Sequence, residues 1–216
     1  MLVLMAVLLK LPALLHVPRY EYIQNAPMAR IAFNFIANLP NHYFWGVLLA
    51  ALLVLLQGVF VNYIVNAQGI LYKSTQLPAL FFVLINSFFI QQNELTPQLI
   101  SNTFLLFLLQ RLCYLYESAN PLLVVLDTGL LLGMGILFNY DLIIFLPFIL
   151  ISVVIFTSFN LRYLIVSILG IMLPLYFTAV YFYTFGRFDE LILLVKQSFE
   201  NKELKVIETN YVRLLP

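Results

Sequence analysis

The chain has 216 residues, 63% of them hydrophobic and only 10% charged, with a net charge of +1 and a mean hydropathy of +0.98. A soluble domain carries about 25% charged residues, so this composition excludes an ordinary water-facing fold and makes lipid the solvent for most of the chain. The small net charge excludes a basic field for nucleic acid, and the single cysteine, Cys113, excludes an internal disulfide framework.

A helical span needs about 20 mostly apolar residues. Seven segments are predicted to supply one each, at 1–17, 43–65, 76–91, 97–115, 121–138, 141–158 and 162–185. The expected fold is therefore all-α and polytopic, with a membrane domain over 1–185 and a tail over 186–216. The first segment lacks a basic flank and a small-residue cleavage site, and reads as a span rather than a signal peptide. Lys10 interrupts it. That lysine is either mid-helix, facing a partner or a polar cavity, or close enough to the outer end for its stem to snorkel.

The loop at 18–41 contains APMARIAFNFIAN, with a proline suited to a first helical turn. Met28, Ile31, Ala32 and Phe35 then recur at helical spacing, which predicts a short helix lying in the membrane interface. Tyr20, Tyr22, Tyr43 and Trp45 suit an interfacial aromatic belt. The second span ends in Asn62, Asn66 and Gln68, with Lys73 after them. These residues form either a solvated loop or a site for a lipid phosphate. The third and fifth segments are short, as occurs when a helix is buried among others or locally broken.

The fifth segment holds VVLDTGLLLGMG, in which Asp127 is an intramembrane acid. Such a charge is costly unless it is paired, and Arg111 on the neighbouring hairpin is its expected partner. Gly129 and Gly133 form a GxxxG pair that lets helix backbones approach, within one subunit or across a dimer. FNYD at 138–141 is either a tight turn between two spans or a kink in one irregular element. In the tail, Asp189 and Glu190 precede Lys196 in the order a helix dipole favours. Leu191, Leu194, Val195 and Phe199 give it an apolar stripe. Lys73, Arg111 and Arg162 fall on one side of a seven-span layout, so the positive-inside rule puts the N-terminus in the cytoplasm and the tail outside.

Glu21 is the one acid of the first outer loop, with His16, Arg19, Arg30 and His42 near it in sequence. A carboxylate beside basic groups can act as a general base while arginines hold a phosphate. The same residues can equally form a solvated loop with a weak surface ion pair.

LLKLPALLHVPRYE resembles the end of the first span and the acidic first outer loop of GT-C-type membrane glycosyltransferases. VNYIVNAQGILYKSTQLPALFFVLINSFF is similar to their inner loop between spans two and three, and LDTGLLLGMGILFNYDLIIFLPFIL to a later hydrophobic hairpin. The layout over residues 1–185 most resembles a family of multi-spanning inner-membrane proteins from Bacteroidota. The resemblance implies a bacterial inner-membrane enzyme that takes a sugar from a polyprenyl-phosphate donor on the outer face. Glu21 would be its catalytic carboxylate and Lys10, Arg19, Arg30 and His42 would contact the donor. A divalent metal is implied only if the chain is such an enzyme. The paired acid common in that family is missing here, since Tyr22 follows Glu21. A non-catalytic subunit or scaffold binding partner membrane proteins is the alternative, and a small-molecule transporter a further one.

Overall fold

The computed structural model describes residues 26–38, 41–88, 95–116, 118, 120–157 and 160–208, leaving aside the side chains of Tyr43 and of 199–208. Lys10, Arg19, Glu21 and the predicted first span lie outside the described residues. Every regular element among those described is helical. In chain order they are α1 (Pro27–Ala37), α2 (His42–Ala67), α3 (Leu77–Phe88), α4 (Pro97–Leu115), α5 (Pro121–Phe138), a 3-10 turn (Tyr140–Phe145), α6 (Leu146–Thr157), α7 (Leu161–Thr184) and α8 (Phe188–Glu208).

Local sequence explains most boundaries. Proline takes the first helical position of α1, α4 and α5, where its missing N–H costs nothing. The Thr96 hydroxyl accepts the Leu99 N–H at 3.1 Å and caps α4. Asn160 Oδ1 accepts the Arg162 N–H at 3.0 Å at the start of α7. Asn41 takes a left-handed conformation (φ 58°) before α2, which asparagine tolerates better than other side chains. At 138–141 the sequence leaves two options, and the chain adopts a turn. Asn139 is extended, its side chain accepts the Asp141 N–H at 3.2 Å, and the 3-10 turn folds back so that Leu142 packs beside Gly135.

Among the described residues, four stretches are long and apolar enough to cross a membrane: Phe44–Ala67, Pro121–Phe138, Tyr140–Thr157 and Leu161–Thr184. The other two expected spans among the described residues differ for separate reasons. The described part of α3 has 12 residues, about 18 Å at 1.5 Å per residue, against a hydrocarbon core of about 30 Å, and the rest of that expected span lies outside the described residues. Helix α4 has 19 residues, but Gln98, Ser101, Asn102, Thr103, Gln110 and Arg111 dilute its apolar character.

Side-chain contacts fix the helix directions. Thr75, just before α3, bonds back to Asn66, and Gly58 lies against Ala79 and Val83, so α3 runs antiparallel to α2. Gln57 bonds to Leu99 and Thr103 while Phe60 packs on Phe107 with ring centroids 4.7 Å apart, so α4 runs parallel to α2. Arg111 meets Asp127 and Phe104 stacks on Phe138, so α5 is antiparallel to α4. Gly129 meets Ser167 and Gly170, and Gly133 meets Ile171 and Pro174, so α7 is parallel to α5. Phe156 near the end of α6 lies against Tyr116 at the end of α4. The six helices α2–α7 therefore alternate in direction. Lys73, Arg111 and Arg162 lie at one end of the bundle, here termed the basic end, and α1, Asp141 and α8, with Arg30, Arg187 and Lys196, lie at the other.

The core has two parts. The larger joins Leu108 and Leu112 of α4, Val125, Leu132 and Ile136 of α5, Ile149 and Val153 of α6, and Ile171 of α7. The smaller joins Ala50 and Val54 of α2, Val83 of α3 and Leu99 of α4, with Phe33 and Ile36 of α1 packed on it. The α5–α7 pair is the most extensive contact. It rests on three glycines. A Cβ on Gly133 would stand 2.6 Å from the Ile171 carbonyl, one on Gly170 would stand 2.7 Å from the Leu126 carbonyl, and one on Gly129 would meet the Ser167 carbonyl. Only hydrogen side chains allow the two backbones to touch.

Candidate functional site

A cavity of about 690 Å³ opens between α2, α4 and α5 at the basic end. The parallel course of α2 and α4 brings Tyr63, Ile64 and Gln68 opposite Phe107, Gln110, Arg111 and Tyr114, and α5 supplies Asp127, Leu130 and Leu131. At its mouth Arg111 Nη2 lies 3.4 Å from Asp127 Oδ2, with the two side chains 47% and 40% exposed. Charge-assisted hydrogen bonds are usually about 2.7–2.9 Å long, so this is a loose pair. A guanidinium has five N–H donors and a carboxylate takes two at most in a fork, leaving Arg111 able to bind a further anion. The wall behind it is apolar (Ile64, Phe107, Leu130 and Leu131), and two carboxamides and two phenols stand among these side chains.

The polar residues at the end of α2 divide into different roles. Gln68 lines the cavity beside Arg111. Asn66 instead closes the loop after α2, donating to the Thr75 carbonyl at 3.2 Å and accepting the Thr75 N–H at 3.3 Å. Asn62 Oδ1 is buried without a hydrogen-bond partner. Lys73 is exposed in the loop between α2 and α3.

The opposite end carries the remaining predicted residues that can be placed. Arg30 of α1 pairs with Glu190 of α8 at 2.9 Å. The two line a cavity of about 260 Å³ together with Tyr181, Phe182, Phe185 and Arg187. Arg30 therefore already has a carboxylate partner. His42 opens α2 at the same end. Helix α1 turns Ala29, Phe33 and Ile36 to the protein, while Ile31 and Phe35, expected in its apolar stripe, are 45% and 73% exposed. In α8, Leu194 is buried as expected, Val195 is exposed, and Ser198 occupies the buried face. Among the described residues no group of three His, Cys, Asp or Glu side chains gathers to hold a metal.

Sequence reasoning passed over one polar constellation. Gln57, in the middle of an apolar run of α2, is 2% exposed. Its Nε2 donates to the Leu99 carbonyl and to Thr103 Oγ1, both at 2.8 Å, and its Oε1 accepts from Asn102 Nδ2 at 3.2 Å. The available signal was a lone glutamine among leucines, which in lipid needs an internal partner. Comparison with known proteins returned no family model, no curated protein and no solved structure that matches the chain.

Proposed function

We propose that the protein is a multi-pass membrane protein that binds an amphiphile with an anionic head, its phosphate or equivalent group at Arg111 and its hydrocarbon along the wall of the basic-end cavity. The observation that carries this reading is a loosely paired guanidinium at the mouth of an apolar-walled cavity of about 690 Å³. In the reading, Gln68 and Gln110 supply further hydrogen bonds to the head. Asp127 holds Arg111 in place while the cavity is empty and competes with the ligand.

The alternating directions of α2–α7 support a layout in which each of these six helices runs across the bilayer, the short α3 packed against α2. In this reading the connections that carry Lys73 and Arg162, with Arg111 beside them, face the cytoplasm and α8 lies outside a bacterial inner membrane. The exposed Ile31 and Phe35 of α1 support its lying in the interface.

The test uses native mass spectrometry of the full chain from detergent micelles, comparing dioleoyl phosphatidate with dioleoylglycerol and a polyprenyl phosphate with its polyprenol. Each pair differs only in the phosphate. Hydrogen bonds to a charged group contribute about 1.5–3 kcal/mol, so the phosphate form should be retained about tenfold or more over its neutral counterpart. Arg111→Gln should abolish the preference and Asp127→Asn should strengthen it. A preference that survives in Arg111→Gln removes the proposal.

Sugar transfer of the GT-C type is the narrower proposal drawn from the sequence resemblance. It assigns the chemistry to Glu21, which lies outside the described residues. Glu21→Gln in a transfer assay with a polyprenyl-phosphate sugar measures it, and unchanged turnover would remove Glu21 from the reaction.

A further inference from the structure

A second polar cavity, about 270 Å³, lies at the α1 end of the bundle, where the end of α3, the start of α4 and the end of α5 meet. Its polar lining is Asn86 from α3, Gln98, Ser101 and Asn102 from α4, and Asn139 after α5. Among the described residues no lining side chain is ionisable. We infer that this cavity is a binding site for a neutral polyhydroxylated group, a single sugar ring or a polyol of that size.

Internal bonds hold part of each lining side chain and leave the rest to a guest. Asn86 Nδ2 donates to the Phe82 carbonyl at 2.8 Å, which leaves Oδ1 as an acceptor. Asn102 Nδ2 donates to Gln57, which leaves its Oδ1. Asn139 Oδ1 is engaged by the Asp141 N–H, which leaves its Nδ2 donors. The Gln98 side chain is exposed and has both ends of its amide without a partner among the described residues. The guest thus meets acceptors on two sides and donors on a third, arranged around a floor of Leu99, Leu105 and Leu142.

Vicinal hydroxyls, each both donor and acceptor, match that alternation. An anion would meet no counter-charge among the described lining residues, and stripping its water without one costs several kcal/mol. An alkyl chain would leave the amides unpaired, at about 1–3 kcal/mol each. Ligand cavities run from about 300 Å³ upward, so the volume suits one ring and not two. Gln57 has a different role. All its bonds are made inside the protein, and it positions Asn102 from behind. The inference needs neither an anion at Arg111 nor a reaction at Glu21.

Saturation-transfer NMR on the full chain in nanodiscs tests it, with methyl β-D-glucopyranoside as a free sugar, octyl β-D-glucopyranoside as a membrane-borne one and glucose 6-phosphate as the charged comparator. Transfer to the ring protons of one or both glucosides is expected, at least threefold above glucose 6-phosphate. Transfer to octyl glucoside alone identifies the ligand as a glycolipid head, and transfer to both identifies the sugar itself. Gln98→Leu, at an exposed position, should cut the signal at least threefold. Asn139→Asp keeps the cap on Asp141 but replaces a donor with a charge, and should do the same. If Asn139→Asp unfolds, Gln98→Leu decides alone. No transfer in the wild type, equal transfer to glucose 6-phosphate, or an unchanged signal in Gln98→Leu overturns the inference.

Discussion

Replacing Gly133 with alanine tests whether backbone contact between α5 and α7 holds the bundle. The added Cβ would stand 2.6 Å from the Ile171 carbonyl, so the helices must part by about 0.8 Å to reach the 3.4 Å at which ordinary contact begins. Gaps of about 0.5–1 Å forfeit a quarter to a half of the dispersion energy across the surfaces they open, and overpacking of this kind costs about 1–3 kcal/mol. Alanine also favours the helix over glycine by up to about 1 kcal/mol, which offsets part of that loss. The net expectation is destabilisation by about 1–2 kcal/mol. Gly129→Ala should cost at least as much, because its Cβ comes closer to a carbonyl. Gly129→Ala and Gly170→Ala should be less than additive when combined, since either one separates the same pair of backbones. Gly46 on α2 has nothing within 4 Å of its would-be Cβ, so Gly46→Ala shows the propensity gain alone. Reversible unfolding in mixed dodecylmaltoside and SDS micelles, followed by far-UV circular dichroism, reads the four single variants and the double one. Gly133→Ala and Gly46→Ala with the same midpoint would refute the reasoning.

Gln57→Leu removes three interhelical hydrogen bonds. At about 0.6 kcal/mol each, the measured average within a membrane protein, the loss is roughly 2 kcal/mol, and the same unfolding assay should show a lower midpoint. Glu190→Gln breaks the Arg30 pair at side chains that are 43% and 34% exposed. It should change stability by less than about 1 kcal/mol, and should lose even that difference when the unfolding is repeated in high salt.

The sequence made the helical class legible because apolar runs of span length leave few other solutions in lipid. The boundaries of α2, α5 and α7 fall within two residues of expectation, since prolines, asparagines and a glycine mark them locally. Helix α3 is described as far as Phe88, and the last three residues of the expected span lie outside the described residues. Arg111 and Asp127 were legible as a pair because two opposite charges on adjacent hairpins have few other partners. Their cavity was not, because it depends on α2 and α4 running parallel, a relation between elements 30 residues apart in the chain. The amide cluster was hidden for the same reason. Gln57, Asn86, Gln98 and Asn139 come from four segments, and nothing local ties them together. The exposed stripe of α1 shows the converse limit: periodicity finds an apolar face without saying whether protein or lipid receives it.

The contact between α1 and α8 constrains the order in which the molecule can be made. Arg30 and Glu190 are 160 positions apart, and a ribosome adding about 5–20 residues per second takes roughly 8–32 s to cover that distance. Throughout that interval α1 has left the ribosome while the end of α7 and all of α8, against which Pro27, Arg30 and Asn34 finally rest, do not yet exist. The α1 segment must therefore wait without its Glu190 partner, with Arg30 unpaired by it and Ile31 and Phe35 exposed as they are in the finished fold. Closure of that end is among the last events of assembly, and a nascent chain halted before residue 190 would carry a bundle with its lid still off.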